Sequence, residues 1–539
     1  MTLRSFRSCE KFSKNYFKSN NWSSNSSFFY RQPKIKMLRL LRKRRTMRKY
    51  LFLFFILIGG VSLTAQNLSA TVVDSRNGKP IPFATVVTGE HSGMITNEDG
   101  VFTITQSQLS RIKDSIKISS MGYTNVSLWE PTGEITIKLS PKTFELAQVF
   151  LNANPLSAEE VIEKVKENLS NNYKIDFSKK KIFFRQSDLN TMDEVDFGFK
   201  KSTIPELNKE LIDEIADAVP RKSNSYKEVV GDFYGDYRSH KLHVDKAATL
   251  YDKTKDVSVD GLSSRLEEIF KKNVKPDSYL KIRSGLIGTK VDLDEISEEN
   301  QEEADIVKEE IKKEQRSEFQ QGIKDRISQV YEQLFFNEDS ELDFLRKSNR
   351  YRFTHTDYTF IEDAAVYIIK FEPKGKKDFK GVMYVNTEDF AVMRLEFENV
   401  RPLKRFGLLG ITYRRSLFKG KMLFAKESNG GYGPRYLELE DGSTFGLDRP
   451  LNVIEKNKHV KGRRKQNELA LDLKIGTTQV SKYELVVFSS ESISKENFQT
   501  APENPEVKAT YLSKYDPSFW KEYTIMEPNQ AIQSFEVLE

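Results

Sequence analysis

The chain has 539 residues, 38% apolar and 30% charged, enough for several globular domains. Its formal net charge of +7 misdescribes most of the protein, because residues 1–65 hold 15 of the 85 Lys and Arg but only one acid, Glu10. The remainder carries 70 bases against 77 acids, which excludes a nucleic-acid partner argued from basicity.

Residues 1–46 are basic, polar and without periodicity. They read as a disordered leader, or as a start codon placed too early, with Met37 or Met47 as the true start. From Met47, "MRKYLFLFFILIGGVSLTAQ" has a basic pair (Arg48, Lys49), the apolar run Tyr50–Leu63 and the small residue Ala65. Residues 47–65 are therefore expected to be a signal peptide. The run is shorter than the roughly 20 residues of a membrane-spanning helix; left uncleaved, it would tether the protein to a membrane. The only cysteine, Cys9, precedes it, so the mature chain has no thiol for a disulfide, a nucleophile or a metal. The expected location is exported: periplasmic, outer-membrane-associated or cell-surface.

Residues 67–141 alternate short strand-like runs ("LSATVVD", "PFATVVT", "VFTI", "EITIKLS") with turn signals such as Asn77-Gly78 and Asp99-Gly100. That spacing predicts a small β-sandwich. A linker at 142–155 contains "LNANP". Ser157 and Glu160 then stand in capping-box spacing ahead of Val161, Val165 and Leu169, which predicts a helix over 157–173. Residues 156–345 read as a mixed helical region. Within it, "KKKIFFRQSD" suggests a strand, and "STIPELNKELIDEIADAV" and "GLSSRLEEIFKK" suggest helices. A charged helix is expected over 295–335, apolar-striped from Phe319 to Leu334. From Tyr351 the period becomes two, as in "RLEFE" and "LALDLKI", and "GVMYVNTEDFAVMRLEFE" reads as a hairpin turning at Asn386–Asp389. Residues 346–539 are expected to form a large antiparallel sheet, curved or partly closed, with one wet face. The whole chain is thus α+β and multidomain.

No HxxE, HExxH, GxSxG, Walker or strand-following GxGxxG pattern is present, so no catalytic or cofactor-binding residue is assigned and no cofactor is expected. The metal candidates are weak: His240 and His243, with Asp236, in "GDFYGDYRSHKLHVD". Their surroundings read as loop and strand, where residues three apart point to opposite faces. Paired acids such as Glu362–Asp363 are ordinary on a solvated sheet. The basic loop Lys456–Lys465 reads as a solvated hairpin tip or a contact for lipid headgroups or anionic glycans, and the aromatic run Tyr515, Phe519, Trp520, Tyr523 as a terminal segment docked on the core or a sugar or lipid platform.

Val72, Asp74, Gly78, Pro80, Ile81, Ala84, Val86, Gly93, Thr96, Asn97, Gly100 and Phe102 form an ordered pattern, continued by Ile116, Ser119, Gly122, Tyr123 and Leu139. This pattern resembles the carboxypeptidase-regulatory-like domain. The resemblance implies a transthyretin-like seven-strand sandwich of the kind common in Bacteroidota envelope proteins, without peptidase residues. In that setting Gly78, Pro80, Gly93, Asn97, Asp99, Gly100, Phe102, Gly122 and Tyr123 serve turns and packing. The leading expectation is a non-enzymatic exported envelope protein. Its sandwich would serve interaction or spacing, and its C-terminal sheet would bind an envelope protein, glycan or lipid. The alternatives are a periplasmic lipid or lipoprotein carrier built on a half-barrel sheet, and a hydrolase with dispersed carboxylates.

Overall fold

The computed structural model describes residues 67–89, 92–142, 156–174, 176–275, 277–285, 287–292, 319–459 and 464–537. Residues 1–66, 143–155 and 293–318 lie outside them, and with them the expected leader, the expected signal peptide, nearly all of the expected linker and the acidic run.

Seven short strands form the N-terminal region: β1 (Leu68–Asp74), β2 (Thr85–Gly89), β3 (Ser92–Ile95), β4 (Val101–Ile104), β5 (Ile116–Ser119), β6 (Val126–Leu128) and β7 (Gly133–Leu139). One sheet runs β4–β1–β7, with β7 parallel to β1. The other runs β3–β2–β5–β6. Leu68, Ala70, Val72, Val86, Phe102, Ile104 and Ile118 are buried in this region.

The motif residues act on the backbone. Gly100 has φ +72°, and a Cβ there would lie 2.6 Å from the Val72 carbonyl oxygen, so only glycine fits. Gly78 and Gly122 also have positive φ. A Cβ on Gly93 would meet the Val86 carbonyl at 2.6 Å, so Gly93 lets two backbones approach. Pro80 bridges Val73. The buried Asn97 Oδ1 accepts from the Asp99 and Val101 amides at 3.0 and 2.8 Å. Its Nδ2 donates to the Pro528 carbonyl at 3.2 Å, so a turn residue also fastens the C-terminal segment. Asn97→Ala removes these bonds at a buried site and should destabilise the protein by about 1–3 kcal/mol, read as a lower denaturant midpoint.

Asp74 accepts from the Arg76 side chain and amide and from the Tyr123 hydroxyl. The Arg76 side-chain hydrogen bond is the largest influence lowering the carboxyl to about 2. A carboxyl whose folded pKa is depressed contributes stability that is complete above its unfolded value, about 3.9, and is lost as pH falls through the folded value. Thermal stability should therefore fall between about pH 4 and pH 2. Asp74→Asn should flatten part of that acid limb in a melting series.

After the linker, α1 (Ala158–Asn172) starts where predicted: Glu160 accepts from the Ser157 amide and the Ser157 hydroxyl accepts from the Glu160 amide. Next come β8 (Ser178–Ser202), α2 (Lys209–Ala218), β9 (Lys222–Gly235), β10 (His240–Tyr251), α3 (Thr254–Asn273), β11 (Ser278–Ser284) and β12 (Ile287–Asp292). Helix α2 starts at Lys209, four residues beyond Pro205, because Asn208 caps it through the Leu211 amide. Helix α4 spans residues 319–332. The remaining strands are β13 (Tyr351–Ile361), β14 (Ala364–Pro373), β15 (Phe379–Asn386), β16 (Val392–Asn399), β17 (Lys404–Leu408), β18 (Ile411–Lys426), β19 (Tyr432–Asn457), β20 (Lys465–Ser492) and β21 (Thr510–Leu512).

Ladders join these strands in the order β13–β14–β15–β16–β18–β19–β20–β8–β9–β10–β21. The wrap is barrel-like, but no ladder among the described residues joins β13 to β21. The large antiparallel sheet is therefore not confined to 346–539. Strands β8, β9 and β10, from the region expected to be mixed helical, continue it beyond β20. Period-two pattern alone cannot reveal a partner hundreds of residues away, so nothing in the sequence links the two sides of the boundary expected at 345.

Both faces of the sheet's central part are covered. Ile182, Phe184, Val229, Leu437 and Leu485 pack with α1, α4 and residues 335–345. The alternating positions Phe183, Val230, Tyr436 and Val486 pack with the sandwich and the C-terminal segment. Trp520 of that segment is buried. The sandwich is thus fixed to the sheet rather than suspended as a spacer: Phe83 stacks on Tyr436 at 5.4 Å, Ser92 bridges Ser489, and Lys482 pairs with Glu98 at 2.8 Å.

Beneath it runs a charged row. Glu228, Arg185, Glu484, Glu438 and Lys421 are direct neighbours across β9, β8, β20, β19 and β18. Arg185 pairs with Glu228 at 2.7 Å and Glu484 at 3.8 Å, and donates to the Met526 carbonyl at 2.8 Å. Trp520 Nε1 donates to Glu228 at 3.0 Å. Lys482 pairs with Glu438 and Glu484, at 3.1 and 3.3 Å.

Candidate functional site

Strands β8, β19 and β20 are 25, 26 and 28 residues long, far beyond the usual five or six. Their distal halves extend past the part of the sheet that α1 and α4 cover. On β20, alternate residues share a face. Tyr483, Ser481 and Gln479 line a polar groove with Arg326 of α4, Arg415 and Asp441. Farther along the same face, Ile475, Leu473, Leu471 and Leu469 line an apolar cavity of about 500 Å³. Phe197 of β8 and Leu451 and Val453 of β19 complete its floor. Helices α2 and α3 form its cover through Ile212, Ile215, Leu266, Ile269 and Phe270, with Ile204 and Leu207 ahead of α2.

The cover forms because Leu211, Ile212 and Ile215 recur at helical spacing on α2. Arg265 of α3 pairs with Glu214 at 2.8 Å, and Lys272 with Glu206 at 2.6 Å. The Arg265–Glu214 pair is exposed on both sides and Lys272 is exposed, so solvent screens both pairs and neither does much to hold the cover. One wall is polar but satisfied: buried Glu455 accepts from the Lys275 amide at 3.0 Å and Asn467 Nδ2 at 2.7 Å. Chemically the cavity offers a nearly all-carbon wall. Its volume falls within the range of small-molecule sites, ~300–1,000 Å³.

The metal candidates do not meet. His240 stacks on Phe233 at 5.1 Å and lies 2.6 Å from the Ser328 hydroxyl, and burial pushes its imidazole below the usual range. His243 pairs in register with Asp232, and Asp236 accepts from the Arg238 and Ser239 amides in a turn. Among the described residues, no three His, Cys, Asp or Glu side chains are grouped to hold a metal ion. His91 and the tip of the Lys456–Lys465 loop, at 460–463, lie outside the described residues. Sequence reading missed the cavity because its wall comes from six separate segments, Leu280 of β11 among them. The available signal was "LALDLKI", whose apolar face needed a cover.

Residues 68–151 match the family model described as the CarboxypepD_reg-like domain. The match covers the seven strands β1–β7. No curated protein matches the chain. Among solved structures, a LolA superfamily protein from Nitrosomonas europaea is 9% identical, with 64% of this chain and 98% of that one covered and a TM-score of 0.16. The MucA/MucB complex of Pseudomonas aeruginosa gives 7% identity, 62% and 99% coverage, and a TM-score of 0.13. At these TM-scores the likeness assigns no fold, ligand or partner.

Proposed function

We propose that this is an exported, non-enzymatic envelope protein that carries an acyl chain, of a lipid or a lipoprotein, in the cavity between α2, α3 and the distal sheet. The periplasm or outer-membrane surface is its place in this reading, and the Bacteroidota origin implied by the N-terminal pattern belongs to the same proposal. The observation that carries it is the cavity wall: carbon on the floor and carbon on the cover, at a volume that suits a chain. An apolar space of this kind favours apolar guests, whose surface it removes from water. The polar groove on the same sheet face suits the hydrophilic part of an amphiphile. The CarboxypepD_reg-like domain then stiffens the sheet from its other side.

Native mass spectrometry of the purified mature protein tests the reading. Adducts with acyl-lipid masses, exchangeable for added fatty acid, are expected. A protein that stays at its bare mass and ignores added chains would remove the proposal.

A further inference from the structure

The β17–β18 hairpin concentrates features that a solvent-facing turn normally avoids. Phe406, Leu408 and Leu409 are 53%, 58% and 57% exposed. Phe406, Tyr413 and Phe445 form one cross-strand row over β17, β18 and β19, and all three are exposed. The turn is the two-residue loop Leu409-Gly410, with φ +51° and +78°. Two positive φ values are the setting for Asn-Gly or Asp-Gly. Leucine in the left-handed region is strained, and here it is exposed as well. Arg405 stands directly opposite Arg414 in the ladder, a like-charge pair that works against pairing. Lys404, Arg405 and Arg414 are exposed, and none has an ion pair among the described residues. A second tip adjoins this one through Arg449. Arg449 donates to the Ser284 hydroxyl at 2.8 Å, and a Cβ on Gly410 would lie 3.1 Å from its Cγ. Beyond Ser284, Ile287 is 57% exposed.

We infer that the β17–β18 tip is a docking finger for an anionic lipid surface, with Phe406, Leu408 and Leu409 entering the interface and Lys404, Arg405 and Arg414 facing the headgroups. Strain at an observed outlier points to use. An apolar tip within a basic collar matches an interface that is apolar inside and anionic at its surface. An anionic surface also relieves the facing arginines, which an apolar protein patch would not. Continuity supports the same partner. Leu408, Ile411, Leu447 and Ile475 form the next row across β17–β20, and Ile475 already lines the cavity. The inference extends the chain-carrying reading without depending on it.

Vesicle sedimentation tests it, with the purified protein and liposomes of phosphatidylcholine alone or mixed with phosphatidylglycerol. Binding is expected with phosphatidylglycerol and should weaken as salt rises. Leu408→Ser with Leu409→Asn should lower partitioning roughly tenfold or more, while Leu409→Asn alone leaves the melting temperature equal or raises it, because asparagine suits the turn. Arg405→Gln with Arg414→Gln should lower binding to the anionic vesicles specifically. No vesicle binding, or binding unchanged in the Leu408/Leu409 double variant, overturns the inference. So does concentration-dependent self-association in light scattering that the same variant abolishes, since the patch would then meet a second copy. Native mass spectrometry on the same samples keeps the two proposals apart. Vesicle binding without chain adducts sinks only the carrier reading, and adducts without vesicle binding sink only the finger.

Discussion

Arg185→Met should lower unfolding free energy by about 3–5 kcal/mol, because it leaves Glu228 as an uncompensated buried charge. Arg185 and Glu228 are 1% and 0% exposed, so water cannot take over. A loss of that size is a large share of the ~5–15 kcal/mol that holds a typical domain, and the variant should express poorly or melt far earlier. Glu484 keeps Lys482, so its share of the penalty is smaller. The informative companion is Arg185→Met combined with Glu228→Met. It removes both charges and replaces them with apolar volume, which for buried pairs is often neutral or stabilising. Recovery of most of the loss in urea unfolding is expected. A single variant with an unchanged midpoint would show that the charged row does not hold the sheet and the CarboxypepD_reg-like domain together.

Filling the cavity from within should abolish chain uptake while sparing the fold. Leu471→Trp is the variant of choice, since Leu471 lies on the cavity floor and a larger ring occupies space that a guest would need. Extra apolar volume in open space avoids the overpacking cost of a filled core. In the unaltered protein, affinity should rise about fourfold per added methylene, from ~0.8 kcal/mol each, and then level off when the cavity is full. Saturating ligand at a hundred times its Kd should add about 2.7 kcal/mol of apparent stability. Leu471→Trp should lose that shift and the chain-length dependence together. A variant that still responds to chains as the unaltered protein does would place binding elsewhere.

Local pattern made much of this architecture readable. The carboxypeptidase-regulatory-like motif pointed to the seven-strand N-terminal region because Gly78, Gly93, Gly100 and Asn97 each answer a backbone demand visible from neighbouring residues. The capping box at Ser157 and Glu160 located α1, and the stripe from Phe319 located α4, for the same reason. The Asn386–Asp389 hairpin is also where the alternation placed it, between β15 and β16. What sequence could not supply was partnership. "KKKIFFRQSD" is a plain strand until β20 lies beside it, and "ELIDEIADAV" is an ordinary amphipathic helix until its apolar face covers Leu471 and Leu473. The cavity was illegible because no single segment contains it. The hairpin tip stayed unread because "RFGLLGITYRR" carries no Asn-Gly or Asp-Gly turn signal. Its meaning depends on Leu409 occupying a turn rather than a core.

The pairing of β8 with β20 has a kinetic side. Asp188 and Ser481, hydrogen-bonded across that ladder, are 293 residues apart. A chain made from its N-terminus presents β8, β9 and β10 long before β20 arrives to cover the free edge of β8. Closing so long a loop precedes any reward from the contacts it makes, and an uncovered edge rich in "IFF" invites pairing with other chains. Completion of the sheet is therefore expected to come late and slowly, because it waits for β20.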